Sequence, residues 1–506
     1  MARVARHLGL ALSFGCLAGV DADHHGGCTA GRLFISGMDE AVLHVYDLDD
    51  GMVAEVARDL PAAKPAMRLY ATHSDAARVV AVWRGDAASN YSGVTQFYRS
   101  GITLDDHGDH SDIVKEAPRK YDFELETTSP THITSSSGYI AIFNDGYWQA
   151  GGGSAVVGSS ASFVREAELG DGSVTGSVSE TRVPIAGGAH HGVAWAMAED
   201  AFLVSLPVAS RANFTDGASA LPDGFEVRNA AGDLLHDLND PASPPCLGMH
   251  GAALVGQTVA FGCASRGLYQ VTYDAAANAA QRLSQVHTAY PDPDSTVPGY
   301  RSGAVEGSEA ANLFVGTLYD AATSRAPLSE RPPSYLFSTQ PRAAAASTKQ
   351  LLETSGSCGW AIDRAARSGG DGAYVAVLNP NGTITVGHFA GDGSAGGARL
   401  FELGIGALEC SDYSLVEGVG HIFVLDRAAS KLHILDPEKA YNGEEGAFAT
   451  HALPFRPSGA ALSLPSSAAC LRSESSPTTP TSVAVGGGAS RWAVLLVVAR
   501  LWALRV

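Results

Sequence analysis

Along most of this 506-residue chain, apolar and polar residues alternate with a period of two, and Gly, Pro, Asn or Asp interrupts the alternation every few residues. The 3.6-residue period of an amphipathic helix is hard to find anywhere. The alternating segments recur in units of about 35 to 50 residues, the length of a β-propeller blade. Thr72-His73-Ser74 opens one unit, ahead of strands predicted at 78–83 and 94–98, and Thr131 to Thr134 opens the next, ahead of 139–143 and 161–164. His190 to Ala194 opens a third and Gly248 to Ala252 a fourth; later units begin near Tyr300, Cys358 and Cys410. The strands predicted at 32–36, 42–46 and 53–56 lack an opening strand, and Pro457 to Leu464 near the C-terminus supplies one. The pattern predicts an all-β chain folded as a single β-propeller of about eight blades, with seven as the other count, closed by pairing of its N- and C-terminal strands. The Pro- and Ala-rich insert from Tyr319 to Leu352 is expected to be a surface excursion.

Both ends depart from this pattern. Arg3, Arg6 and His7 precede the apolar run Leu8 to Val20, which ends in small residues, the layout of a secretory signal over 1–20. The propeller domain is expected at 28–468, followed by a Ser/Thr/Pro/Gly-rich linker at 471–490 and a hydrophobic tail at 491–506. Arg500 interrupts that tail, which is shorter than the roughly 20 apolar residues of a spanning helix. It has the layout of a GPI attachment signal, with a membrane-contacting segment as the alternative. A secreted or cell-surface location follows, periplasmic in a bacterium. Asn90, Asn213 and Asn381 stand in glycosylation-acceptor triplets, which add little by themselves.

Of the seven cysteines, Cys16 lies in the predicted signal and six remain, an even number that in a secreted chain suggests disulfides. In the predicted ring Cys28 and Cys470 flank the closing strands, Cys246 and Cys263 sit on neighbouring strands of one blade, and Cys358 and Cys410 open adjacent blades. Those three pairs are the expected bridges. None of the six stands in a CxxC pair, which argues against a thiolate zinc site.

Composition narrows the function. Charged residues make up only 17% of the chain and 57 are Gly, which suits short strands joined by tight turns. The net charge of −19 argues against nucleic acid as a partner and fits a protein that handles cations. The densest chemistry is the stretch Asp105 to Asp112, with His107 and His110 either side of Gly108 and Asp109. Neutral imidazole and carboxylate are the ligands Zn²⁺ takes, but this stretch supplies three at most, so others must come from elsewhere. In a propeller the innermost strand of each blade starts at one face of the ring. His73, His132, His190 or His191, and His250 stand at or near such starts in consecutive units, so they should converge at one mouth of the channel. The Asp105 to Asp112 stretch, read as lying between the second and third blades, should overhang the same mouth. Zn²⁺ suits this donor set best, with Cu²⁺ and Ni²⁺ allowed by ligand type. Binding is expected to fail as pH falls through the imidazole range near 6.5.

Several of these stretches together resemble the AztD family of secreted zinc metallochaperones. The resemblance runs through Gly101 to His110 with Glu116-Ala117-Pro118, then Pro130-Thr131-His132 and His190-His191-Gly192-Val193. It continues through Leu221 to Val227, Cys246 to Gly251 and Ala260 to Ala264, and so covers roughly residues 30 to 275. It implies a propeller that passes Zn²⁺ to the solute-binding protein of an importer, with metal ligands at His107, Asp109, His110, His191 and His250 and further candidates at His132 and His190. Asp21 to His25 looks like a reduced form of the family's His-rich N-terminal segment. The chain departs from the family where Ala252 replaces an acidic residue after Gly251, where no histidine appears near Cys410, and in its hydrophobic tail. The expected function is a monomeric, non-enzymatic zinc-binding propeller that buffers or delivers the metal. The competing readings are a metal-assisted propeller hydrolase or lactonase and a protein-interaction scaffold.

Overall fold

Eight antiparallel sheets of four strands, one of them with an additional short strand, form among the described residues and stand in a ring. The structure, a computed structural model, describes residues 31–464 apart from 59, 61–66, 73–77, 86–90, 107–110, 149–154, 171–177, 208–220, 240–245, 247, 264–266, 278, 283–299, 321–333, 343–350, 355, 366–371, 392–394 and 403–408. By contacts the chain divides into Cys28–Leu471 and a second unit of Met1–Gly27 with Arg472–Val506. All described residues belong to the former. The predicted signal, linker and tail, and Cys28 and Cys470, lie outside the described residues. Among the described residues no helix is long and apolar enough to cross a membrane.

The innermost strands follow one another around the channel: Pro457–Ser463 adjoins Met67–Ala71, Pro130–Ser136 adjoins Ala194–Ala198, and Ala252–Val255 adjoins Val305–Ser308. Gly359–Ile362 and Tyr413–Val416 complete the inner circle. The second strand of each blade is an unbroken apolar run, as in Leu33–Ile35, Val79–Val82, Tyr139–Phe143 and Ile422–Leu425. A strand reads this way when both of its faces are covered. Here the cover comes from the neighbouring blades: the eight core clusters among the described residues each span two adjacent blades. Ring closure follows the predicted route, with Arg32–Gly37 pairing antiparallel to Pro457–Ser463 in the register Leu33 to Leu462 and Phe34 to Ala461.

Three expectations require correction. The inner strand of the second blade is Met67–Ala71, so Thr72 ends that strand instead of opening it, and His73 lies outside the described residues. The span from Tyr319 to Leu352 is not wholly an excursion, since Tyr335–Thr339 and Leu351–Glu353 are the third and fourth strands of the sixth blade. The stretch around Asp105 to Asp112 does not lie between blades: Ile102–Asp106 and Ser111–Lys115 form a hairpin inserted before Arg119–Thr128, the fourth strand of the second blade. The base of that hairpin is held at the start of the first blade's second strand, where Arg32 donates to the carbonyls of Ser100 and Glu116 and Lys115 Nζ donates to Asp47 Oδ1 at 2.7 Å. Strand alternation puts this end of the blade opposite the end where Trp83 and Asn144 finish their strands.

On the inner edge of the last three blades, Arg364 donates to Glu306 Oε2 and to Glu417 Oε2, both at 2.7 Å. Burial pushes the Glu306 carboxyl up to about 8, and the Glu417 charge beside it acts in the same direction. A carboxyl raised above its ordinary value of 4.5 favours the fold fully below that value and loses its contribution as pH rises through 8. Glu306→Gln is therefore expected to flatten the fall in Tm between about pH 4.5 and 8, read by thermal denaturation across that range. An unchanged slope would mean that Glu306 is ionised throughout.

Candidate metal centre

Three consecutive blades each bring one imidazole to the same end of the channel. His132 lies on Pro130–Ser136, where the register shifts between Pro130 and His132, an irregularity of the kind that re-aims a side chain. His191 precedes the inner strand of the fourth blade. Its neighbour Gly192 has no room for a side chain, since a Cβ there would stand 2.5 Å from Phe143 Cζ and 2.6 Å from Ser205 Oγ. His250 precedes the inner strand of the fifth blade, its N–H bonded to Gly262 O at 3.0 Å. Gly251 beside it takes φ +74°, where a Cβ would meet Gly303 O at 2.6 Å. The Cys246–Cys263 disulfide ties the segment ahead of His250 to the second strand of its blade, and Met249 N–H bonds Pro222 O at 2.9 Å.

The His132 and His191 Nε2 atoms are 2.9 Å apart, and the rings of His191 and His250 lie with centroids 5.6 Å apart. The three imidazoles line a cavity of about 10 Å³ with Met249, Pro222 and Phe261, room for a single ion or water. Second partners fix two of the tautomers. His191 Nδ1–H donates to Asp145 Oδ2 at 2.9 Å, and His250 Nδ1–H donates to Gly303 O at 2.7 Å, so each ring carries its lone pair on Nε2. The Gly303 carbonyl is available there because the inner strand of the sixth blade breaks between Tyr300–Arg301 and Val305–Ser308, with Thr317 Oγ1 accepting from the freed N–H groups of Gly303 and Ala304. Burial holds His132 well below the usual imidazole range, aided by His191 and His250 and then by Arg68 and Arg84. It is therefore neutral at pH 7, the state a metal ligand requires.

Two nitrogens bound at ~2.05 Å in tetrahedral geometry stand about 3.3 Å apart. The 2.9 Å separation of His132 and His191 is thus a hydrogen bond that must open by a few tenths of an ångström to admit an ion. Consistent with this, no three His, Cys, Asp or Glu side chains among the described residues already surround a common ligand position.

Among the other predicted residues, the structure describes His190. His190 is buried against Phe143 with Nδ1 3.1 Å from Gly188 O and Nε2 3.1 Å from Ser205 O, so both nitrogens face carbonyls and its place is in the packing of the blade. His107, Asp109 and His110 lie outside the described residues. Asp145, which orients His191, was not legible as functional: in Asn144-Asp145-Gly146 it reads as an ordinary turn residue. Arg84 donates to the same Oδ2 of Asp145 at 2.7 Å. Two expected disulfides are present, Cys246–Cys263 and Cys358–Cys410, and they fit a protein of an oxidising, extracytoplasmic compartment.

The zinc chaperone AztD of Citrobacter koseri is 30% identical over 271 residues, 54% of this chain and 55% of that protein. The chain resembles AztD in sequence. It therefore spans about half the length of the curated relative it matches. Two solved structures, that of apo AztD from Citrobacter koseri and a crystal structure of Citrobacter koseri AztD, each superpose with a TM-score of 0.58, covering 86% of this chain and 98% of theirs. At 22% and 23% identity they establish the propeller fold. No family model matches the chain.

The disulfide that anchors the AztD-like segment Cys246 to Gly251 closes a loop with a sequence separation of 17. A loop of that size contributes about 3 kcal/mol by restricting the unfolded chain. Replacing Cys246 and Cys263 together by Ser is expected to lower stability by that amount in urea denaturation. A loss under 1 kcal/mol would mean that the hydrogen bonds of Met249 and His250 hold the segment alone.

Proposed function

We propose that this chain is an extracytoplasmic, AztD-like zinc-binding propeller that holds Zn²⁺ on His132, His191 and His250 and releases it to a receiving protein. The observation that carries the reading is the pair of oriented tautomers at His191 and His250 beside a neutral His132. A histidine ligand to zinc nearly always donates its other ring nitrogen to a carboxylate or carbonyl, and both partners are in place. Three imidazole nitrogens leave one of the four positions of Zn²⁺ open. A receiving ligand can enter there before the donor imidazoles let go, which suits delivery better than permanent storage. A zinc solute-binding protein is the recipient that the AztD likeness suggests. His107, Asp109 and His110 are not needed for this site.

Zinc titration of the propeller against a chromophoric chelator tests the assignment. One equivalent is expected to bind tightly, and alanine at His132, His191 or His250 is expected to weaken it by more than the roughly 10- to 100-fold that loss of an orienting partner costs. Tight stoichiometric binding that survives the triple substitution would place the metal elsewhere, with residues 107–110 as the next place to look. Turnover of esters or lactones by the zinc-loaded chain would instead favour the hydrolase reading.

A further inference from the structure

Asp145 serves two donors through one oxygen. Its Oδ2 accepts from His191 Nδ1 at 2.9 Å and from Arg84 Nη2 at 2.7 Å, while Oδ1 is buried with no hydrogen-bond partner among the described residues. The backbone that carries the carboxylate is fixed: Asp145 N–H bonds Ser129 O at 3.0 Å, and its carbonyl accepts from His190 N–H at 3.0 Å and Ser159 Oγ at 2.8 Å. The cation is the exposed partner, with the Arg84 side chain at 42% exposure and that of Asp145 at 5%. A metal on His191 Nε2 makes the Nδ1–H more acidic and strengthens its bond to Asp145, so the more negative charge Asp145 presents, the better a ligand His191 becomes. Arg84 withdraws that charge through the same oxygen.

We infer that Arg84 is a positioning residue that sets how readily zinc is released, by competing with the metal-bound His191 for Asp145. The inference rests on the proposed three-imidazole site. It predicts an uncommon sign: removing a charged contact beside the metal site should tighten binding, because the carboxylate left without Arg84 is compensated by the arriving Zn²⁺.

The test measures zinc dissociation into excess chromophoric chelator, together with the ¹⁵N shifts of the His191 ring in the metal-free chain. Arg84→Ala is expected to slow dissociation on the order of 10-fold, the lower end of the range for orienting partners. Arg84→Lys should return the rate close to wild type. Asp145→Asn should speed dissociation and remove the Nδ1–H preference of His191 in the metal-free chain, and Arg84→Ala added to Asp145→Asn should change nothing further, since the competition has lost its object. Dissociation that is unchanged or faster in Arg84→Ala, or an Arg84→Ala effect that persists alongside Asp145→Asn, overturns the role of Arg84 while leaving the site intact. A wild-type chain that takes up no zinc overturns the metal site itself.

Discussion

The pairing of Arg32–Gly37 with Pro457–Ser463 is the constraint on which everything else depends. A blade buries its apolar faces only against its two neighbours, so an open row of blades would leave one face bare at each end and an unpaired inner edge. Closing the ring with the last strand of the chain converts those faces into the contact between the eighth and first blades, where Leu33 and Ile35 meet Phe423 and Leu425. It also costs the loop entropy of bringing together segments more than four hundred residues apart. That cost grows only with the logarithm of loop length, whereas the covered apolar area grows with each strand.

The proposed metal centre is a consequence of that geometry. His132, His191 and His250 are separated by about 60 residues in each step, yet each stands at the same stage of its blade, where the chain crosses from the outer strand to the next inner one. Each of the three blades offers one of these imidazoles, and two of them are oriented from a neighbouring blade. His191 is turned by Asp145 from the preceding blade and His250 by Gly303 from the following one. A shift of one blade against another would therefore break the orienting bonds before it separated the rings.

The same division explains what the sequence revealed. Blade count, ring closure and the two described disulfides were legible, because burial between blades writes apolar runs at regular intervals and cysteines can be placed on that grid. The three channel histidines were legible for the same reason, since a residue's stage in the repeat fixes its end of the channel. The Asp105 to Asp112 stretch was misplaced because Arg119–Thr128 was not recognised as a strand. Its outward-facing Arg119, Lys120, Asp122 and Glu124 give it the look of a connection, and omitting it moves the hairpin from one end of the blade to the other. Asp145 and Arg84 were not legible at all. Their roles depend on a contact between blades, Arg84 reaching Asp145 and Asp145 reaching His191, and no local pattern records it.

A site that both captures and delivers zinc, as proposed for this chain, has to satisfy two opposing demands, and the donor set bears on both. With four of the chain's cysteines in disulfides, thiolate, the donor that holds zinc most tightly in closed structural sites, is absent from the described centre. Imidazole ligands bring no negative charge of their own, and the charge hydrogen-bonded to His191 is that of Asp145, one bond removed from the ligand position and shared with Arg84. The His132 to His191 hydrogen bond adds a further opposing element, because it must be given up when the ion enters and is regained when it leaves. Hydrogen bonds of this kind are worth about 1 kcal/mol net, enough to bias an exchange several-fold without preventing capture. The proposed centre thus gains selectivity through its oriented nitrogens and its single-ion cavity, and is restrained in affinity through the charge it withholds.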